Sequence, residues 1–193
     1  MLSLLARYIG LSYSFLRYKI KYRSCVRFKG FTVVYAFPNS EIDFKKGKNG
    51  EKTAVNSHWL SNLMGLYQRT IIVARYGGKI EIGPGCGISG STIYSMESIT
   101  IGSNVLIGGN CKIIDNDFHP LLASKRNPQK PDDIVKKAIV IGDGCFIGAN
   151  SIILKGTTLG RDCVVGAGSV VSGPFPDHVV IAGNPAKVIK KNE

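Results

Sequence analysis

The residues best suited to chemistry lie in one short segment, Asp115-Asn-Asp-Phe-His119-Pro120. His119 is one of only three histidines in the chain, and a neutral imidazole can accept a proton near neutral pH. A carboxylate close to a histidine could orient its ring or bind a substrate. Asp115 and Asp117 are both candidates for that role, and we favour Asp117 because it is nearer to His119 in the sequence.

A regular repeat on both sides of this segment must position it. Neither a helical period nor a strict alternation explains aliphatic residues that recur every six positions. A short strand and a turn in each repeat can coil with three faces, so that residue 141 lies beneath residue 159. The sequence therefore predicts a mainly β protein built as a parallel β-helix. The repeating positions are Ile82, Ile101, Ile107, Ile113, Ile141, Ile147, Ile153, Leu159, Val165 and Val171.

Four of the five cysteines share one phase of this repeat. Cys86, Cys111, Cys145 and Cys163 each follow an aliphatic position by four residues, where Ser and Thr also occur. This phase should point inward at a corner that admits only a small side chain. We expect buried, unreactive thiols there rather than disulfides or metal ligands.

The repeat is interrupted after Ile113, because the position expected near residue 119 is found only at Ile141. The displaced segment, predicted as an extruded loop at about 115–138, is polar and contains several prolines. Long loops in compact domains are usually functional or disordered. His119 lies at the root of this loop, and we therefore expect a functional histidine.

These residues resemble the hexapeptide-repeat acyltransferases, whose fold is a left-handed parallel β-helix. The resemblance implies a β-helix domain over 31–183, with an insertion near 47–69 in its early coils. A basic amphipathic N-terminal segment at 1–30 should be helical. At the other end, Asn184 and Pro185 suit the start of a helix, so we expect a short C-terminal helix within 184–193.

Within that family, the segment around His119 resembles the O-acetyltransferases of sugars, polysaccharides and antibiotics. There a histidine followed by proline at the loop base is the general base, which implies that role for His119, with direct transfer from acetyl-CoA and no metal. The resemblance also implies a homotrimer. On the acceptor side, Ser89 or Ser91 could lie near the hydroxyl group.

Similar enzymes bind the donor along a groove between adjacent subunits. The matching positions are Gly148 and Ala149, followed 18 residues later by Gly166 and Ala167. The Ala149 N–H could stabilise the tetrahedral intermediate. The basic side chains that could meet the phosphates of coenzyme A are Lys187, Lys190 and Lys191.

The charge distribution excludes some classes of function. The chain has a net charge of +12, and the excess of basic over acidic residues is concentrated at the N-terminus, where residues 1–30 hold seven Lys and Arg and no acid. No basic stripe with interleaved aromatics supports nucleic-acid binding. Residues 1–28 could instead associate peripherally with the inner face of a membrane, or form an amphipathic helix that caps the core. The segment lacks a signal-peptide pattern, so we expect a cytoplasmic protein.

Three readings of function remain. A glycan acetyltransferase of cell-surface polysaccharide biosynthesis is favoured by the basic N-terminus. An antibiotic acetyltransferase and a non-catalytic structural β-helix are the alternatives. A zinc hydratase of the same fold would need clustered histidines, and His58, His119 and His178 are too dispersed in the sequence.

Overall fold

The computed structural model describes residues 2–192, with side chains from residue 8 onward. Met1, Glu193 and the side chain of Arg7 in the predicted basic segment lie outside the described part. Helix α1 spans Leu2–Lys21, and short 3₁₀ turns occur at Trp59–Ser61, Ala123–Lys125 and Pro131–Asp133. The strands are β1 (Val26–Lys29), β2 (Val33–Ala36), β3 (Glu41–Phe44), β4 (Thr53–Asn56), β5 (Ile71–Ala74), β6 (Lys79–Ile82), β7 (Gly87–Ser89), β8 (Thr92–Ser95), β9 (Ser98–Ile101), β10 (Leu106–Ile107), β11 (Lys112–Ile114), β12 (Ile139–Ile141), β13 (Phe146–Ile147), β14 (Ile152–Leu154), β15 (Thr158–Leu159), β16 (Val164–Val165), β17 (Val170–Val171), β18 (Pro174–Phe175), β19 (Val179–Gly183) and β20 (Ala186–Lys191).

Every third strand stacks in the same parallel sheet, so the chain coils around a triangular core. Sheet A contains β1, β4, β7, β10, β13, β16 and β19, with β20 at its edge. Sheet B contains β2, β5, β8, β11, β14 and β17, and sheet C contains β3, β6, β9, β12, β15 and β18. This topology confirms the predicted parallel β-helix.

The six-residue period sets the register between coils. Ile141 pairs with Leu159, and Ile147 pairs with Val165, as the spacing of 18 residues requires. Ile101 pairs with Ile141 across the extruded loop, so the coil resumes in phase after the interruption. All of these side chains are buried in a single continuous core.

The cysteines confirm the inward corner phase. All five are free and buried, and the Cys145 thiol donates a hydrogen bond to the Gly160 carbonyl oxygen at 3.1 Å. A small side chain at this phase therefore fills the corner and meets an otherwise solvent-excluded backbone oxygen.

The early coils begin sooner than the sequence suggested. Strand β1 starts at Val26, before the predicted boundary at residue 31, and residues 53–56 form β4. The expected insertion near 47–69 is therefore two separate loops on either side of a regular strand. No helix in residues 2–192 is long and apolar enough to cross a membrane.

The predicted C-terminal helix within 184–193 is wrong. Strand β20 folds back on β19 as an antiparallel hairpin, with Gly183 paired to Ala186. The Asn184-Pro185 signal is local, whereas β19 would otherwise present unpaired backbone groups at the edge of sheet A. Pairing that edge outweighs a helix of less than three turns, which is marginal in isolation.

Candidate active site

The extruded loop leaves the coil at the corner between sheets B and C. Strand β11 ends at Ile114 and β12 begins at Ile139, which matches the predicted loop at 115–138. At its base, Lys137 N–H donates to the Asp115 carbonyl at 2.8 Å and Asp117 N–H donates to the Val135 carbonyl at 3.1 Å. This short antiparallel ladder fixes the position from which His119 departs.

A tight turn at Phe118 then projects His119 away from the ladder. Phe118 has φ of 58°, an unusual left-handed conformation for a bulky residue. His119 N–H donates to the Asp117 carbonyl at 2.6 Å, and the Phe118 ring packs against Tyr94 with centroids 4.8 Å apart. Local backbone strain of this kind persists only where surrounding contacts maintain it, and it concentrates at functional sites.

Gln129, on the far side of the loop, fixes the state of the His119 ring. Gln129 Nε2 donates to the Phe118 carbonyl at 2.9 Å, and Gln129 Oε1 lies 2.6 Å from His119 Nδ1. A carbonyl oxygen can only accept, so the amide orientation is determined and Nδ1 must carry the hydrogen. In the neutral ring the lone pair is therefore on Nε2, which has no hydrogen-bond partner among the described residues.

Asp117 forms an ion pair with Lys155 rather than with the His119 ring. Its Oδ1 accepts a short hydrogen bond from Lys155 Nζ, which lies just beyond β14 in the next coil. Asp117 Oδ2 is buried and has no hydrogen-bond partner within the described chain. Asp117 therefore lies at the root of the His119 turn without orienting the ring.

Asp115 is a structural residue of the corner. Its carboxylate is fully buried and accepts hydrogen bonds from Ser95 Oγ, Met96 N–H, Glu97 N–H and Asn116 Nδ2, at 2.7 to 3.0 Å. Four donors from the protein occupy this carboxylate, so it neither contacts His119 nor faces a substrate. Its role is to hold the loop base against the preceding coil.

Ser89 and Ser91 are also buried, which argues against the acceptor role suggested for them. Ser91 is fully buried; its hydroxyl donates to the Ser89 or the Gly108 carbonyl, each at 2.9 Å, and accepts from Cys111 N–H. Ser89 accepts a hydrogen bond from Asn56 Nδ2 at 3.1 Å. Both lie at the end of β7 and the following A–B corner, whereas His119 leaves the B–C corner.

The predicted donor-binding residues form a column along the A–B corner. A Cβ atom on Gly148 would lie 2.5 Å from the Ala167 nitrogen, so successive coils approach too closely for any larger residue. The N–H groups of Ala149 and Ala167 have no hydrogen-bond acceptor in residues 2–192. Two free amides along one column could bind the amide oxygens of an extended ligand.

Two predicted basic residues extend this column at its C-terminal end. A Cβ atom on Gly166 would lie 3.0 Å from Ala182 Cβ, and Ala182 pairs with Lys187 in the terminal hairpin. Lys190, on the same strand, pairs with Val180. Both lysines are exposed and form no ion pair with a described acidic group.

The structure thus places the predicted residues in two groups within one chain. His119 and Asp117 lie at the B–C corner, whereas Gly148, Ala149 and Gly166 lie at the A–B corner. Sheet B separates the two corners. In residues 2–192, no group of three His, Cys, Asp or Glu side chains is suited to hold a metal ion.

Comparison with known families supports the repeat. A family model described as the hexapeptide repeat of succinyl-transferase matches residues 98–113 and 138–172, on either side of the extruded loop. The loop itself, with His119, lies outside the match.

Curated relatives carry acetyltransferase names. The chain is 41% identical over 127 residues to a putative acetyltransferase of Dictyostelium discoideum, covering 65% of each protein. It is 42% identical over 104 residues to WbbJ of Escherichia coli K12, named a putative lipopolysaccharide biosynthesis O-acetyl transferase, covering 51% of this chain and 53% of that protein. The chain thus spans about half to two thirds of the length of these relatives.

Solved structures share the coil. The crystal structure of NeuO, an acetyltransferase specific for polySia, superposes with a TM-score of 0.61 at 27% identity, covering 86% of this chain and 65% of that one. The likeness confirms the left-handed course of the β-helix. Together with the matched repeats and the named relatives, it shows a chain built from hexapeptide repeats that is similar to acetyltransferases.

Proposed function

We propose that the protein is an acetyl-CoA-dependent O-acetyltransferase that acetylates a sugar hydroxyl in cell-surface polysaccharide biosynthesis. The observation that carries this proposal is the His119 ring, held by Gln129 with the Nε2 lone pair available on an extruded loop. The class of acceptor is supported by the names of WbbJ and NeuO. The reaction takes place in the cytoplasm, where acetyl-CoA is available.

The reaction is a direct transfer with His119 as general base. His119 Nε2 accepts the proton of the sugar hydroxyl while the hydroxyl oxygen attacks the thioester carbonyl. A C–O bond forms, and the negative charge on the carbonyl oxygen is stabilised by the Ala149 N–H. The intermediate then breaks its C–S bond, and the imidazolium returns the proton to the leaving thiolate.

A homotrimer would complete this site. His119 and Ala149 lie at different corners of one coil, so a symmetric ring of three coils could place the loop of one subunit beside the A–B corner of the next. Gly166 and Ala167 then line the donor groove, and Lys187 with Lys190 meets the nucleotide phosphates. Asp117, beside the turn that presents His119, remains the candidate for acceptor binding.

Calorimetric titration with acetyl-CoA tests the donor part of the proposal. We expect saturable binding to wild-type protein and to His119→Ala, because the imidazole acts in chemistry rather than in donor affinity. A thiol-release assay with glycan acceptors should then show turnover by the wild type and by the control His178→Ala, but not by His119→Ala.

Each other outcome has a definite meaning. A folded wild-type protein that never binds acetyl-CoA, with or without glycans, supports the structural β-helix and contradicts the proposal. Acetylation of soluble antibiotics in preference to glycans supports the antibiotic acetyltransferase. Full activity of His119→Ala removes the general-base role.

A further inference from the structure

Helix α1 packs one face on the first coil. The Phe15 ring meets Phe28 and Phe31 edge-on, with centroids 5.5 and 5.0 Å apart. Directly after the helix, the Tyr22 hydroxyl donates a hydrogen bond to the Ile42 carbonyl or to the Asp43 carboxylate, with oxygen separations of 3.1 and 3.0 Å. This face closes the N-terminal end of the β-helix, so the opposite face of α1 forms the outer surface of that end.

The outer face is apolar where a capping helix would be expected to be polar. Ile9, Tyr13, Leu16 and Ile20 are 54 to 70% exposed. Their spacing of four, three and four residues places them within an arc of about 60° on a regular helix. That arc is about 180° from the face that packs on the coil, so the fold itself does not account for these four residues.

Basic residues flank this apolar stripe. Arg17 and Lys21 lie on one side of it and Lys19 on the other, as the helical period requires. The first acidic residue of the chain is Glu41, so helix α1 itself carries no acidic side chain, and the nearest carboxylates, Glu41 and Asp43, belong to the first coil, on which the helix packs. The loop between β3 and β4 adds the exposed residues Lys46 and Lys48.

We propose that this face of α1 docks on an anionic lipid bilayer, with the helix lying in the plane of the interface. An apolar stripe with cationic borders fits that surface: the stripe enters the acyl boundary while Arg17, Lys19 and Lys21 meet the phosphates. The helix is the end cap of the coil, so docking leaves the loop with His119 in the aqueous phase. This inference does not depend on the proposed enzymatic activity.

Vesicle co-sedimentation of the full chain tests the proposal. The probe is a vesicle of equal parts phosphatidylcholine and phosphatidylglycerol, compared with phosphatidylcholine alone. We expect binding to the anionic vesicles that weakens severalfold as salt is raised, because the lysine and arginine contribution is screened. The double variant Leu16→Ser/Ile20→Ser should reduce the partition coefficient at least about tenfold, since two apolar side chains no longer enter the lipid.

A matched control is available at the other end of the coil. Ile189 is 62% exposed, as is Ile20, and it lies beside Lys190 and Lys191 on β20. Ile189→Ser should leave vesicle binding unchanged. Both variants alter exposed side chains, so their melting temperatures should match the wild type, which separates loss of docking from loss of folding.

Three results would overturn the proposal. The first is no wild-type binding to anionic vesicles. The second is equal loss of binding in Leu16→Ser/Ile20→Ser and Ile189→Ser. The third is a Leu16→Ser/Ile20→Ser variant that binds vesicles as the wild type does but has a different oligomeric state in analytical ultracentrifugation. That result would assign the stripe to a contact between copies of this chain.

Discussion

Replacement of Gln129 by Leu tests how the loop prepares His119. The wild-type amide makes two hydrogen bonds, from Nε2 to the Phe118 carbonyl at 2.9 Å and through Oε1 to His119 Nδ1 at 2.6 Å. Leucine has a similar size and makes neither. Gln129→Leu therefore leaves the imidazole in place and removes the partner that selects its orientation and tautomer.

Two consequences of the substitution set the size of the effect: the loss of the hydrogen bond to the His119 ring, and the loss of a single ring orientation and tautomer. A net hydrogen bond between neutral groups is worth about 1 kcal/mol. Without Gln129, two ring orientations and two tautomers become accessible, and only one of about four combinations presents the Nε2 lone pair correctly, a further cost of about 0.8 kcal/mol at room temperature. We expect kcat to fall about twentyfold, with little change in KM or in melting temperature because Gln129 is exposed.

Steady-state thiol release with acetyl-CoA and an active glycan acceptor measures this fall. Gln129→Glu keeps an acceptor for Nδ1–H and should retain most of the rate. The loop control is Lys125→Ala, which breaks the ion pair with Asp133 at 2.6 Å without touching His119. A Gln129→Leu enzyme with wild-type kcat, or one that loses kcat only as its melting temperature falls, would refute the positioning role.

Three further predictions concern stability. Asp115→Asn should lower the free energy of unfolding in urea by about 3 kcal/mol, because an amide cannot accept all four hydrogen bonds that the carboxylate receives; an unchanged value would contradict the structural role. Burial raises the pKa of Cys86 to about 11 and that of Cys145 to about 12. The free energy of unfolding should therefore fall as pH rises from the unfolded thiol pKa of about 8.5 through these two values. A thiol reagent should label the native protein only when denaturant is added, and rapid labelling without denaturant would argue against this burial. Gly148→Ala should destabilise the coil, because its Cβ would lie 2.5 Å from Ala167 N. A Cβ at Gly10 in α1 would have no atom within 4 Å, so Gly10→Ala should stabilise the helix by up to about 1 kcal/mol. Equal denaturation midpoints for the two variants would count against the close packing at Gly148.

The coil could be predicted from the sequence because one physical requirement recurs at each turn. Ile141 and Leu159 must both fill the same interior face, and Cys145 must fit a corner, so the pattern is repeated until it becomes unmistakable. The length of the loop at 115–138 followed from the same count. In each case the signal was the position of a side chain within a period.

The details of the site carry no such period. Gln129 lies ten residues from His119 in a loop without repeats, and only the folded loop brings its amide to Nδ1. Lys155 occupies an ordinary corner position, and its pairing with Asp117 depends on how the loop base folds. Asp115 was a candidate for orienting His119 or binding a substrate because proximity in sequence does not reveal which donors surround a buried oxygen.

The division of the site between two corners leads to a prediction about subunits. His119→Ala removes the proposed base at the B–C corner, and Ala167→Trp at the exposed A–B corner should block the proposed donor groove. If neighbouring subunits of a trimer share the site, random trimers from equal amounts of both variants have an intact loop facing an intact groove at about one interface in four. Denaturing and refolding the two inactive variants together should therefore restore about a quarter of the wild-type activity. No recovery from correctly assembled mixed trimers would mean that each chain forms its own site, and the loop would then have to reach the groove on its own coil.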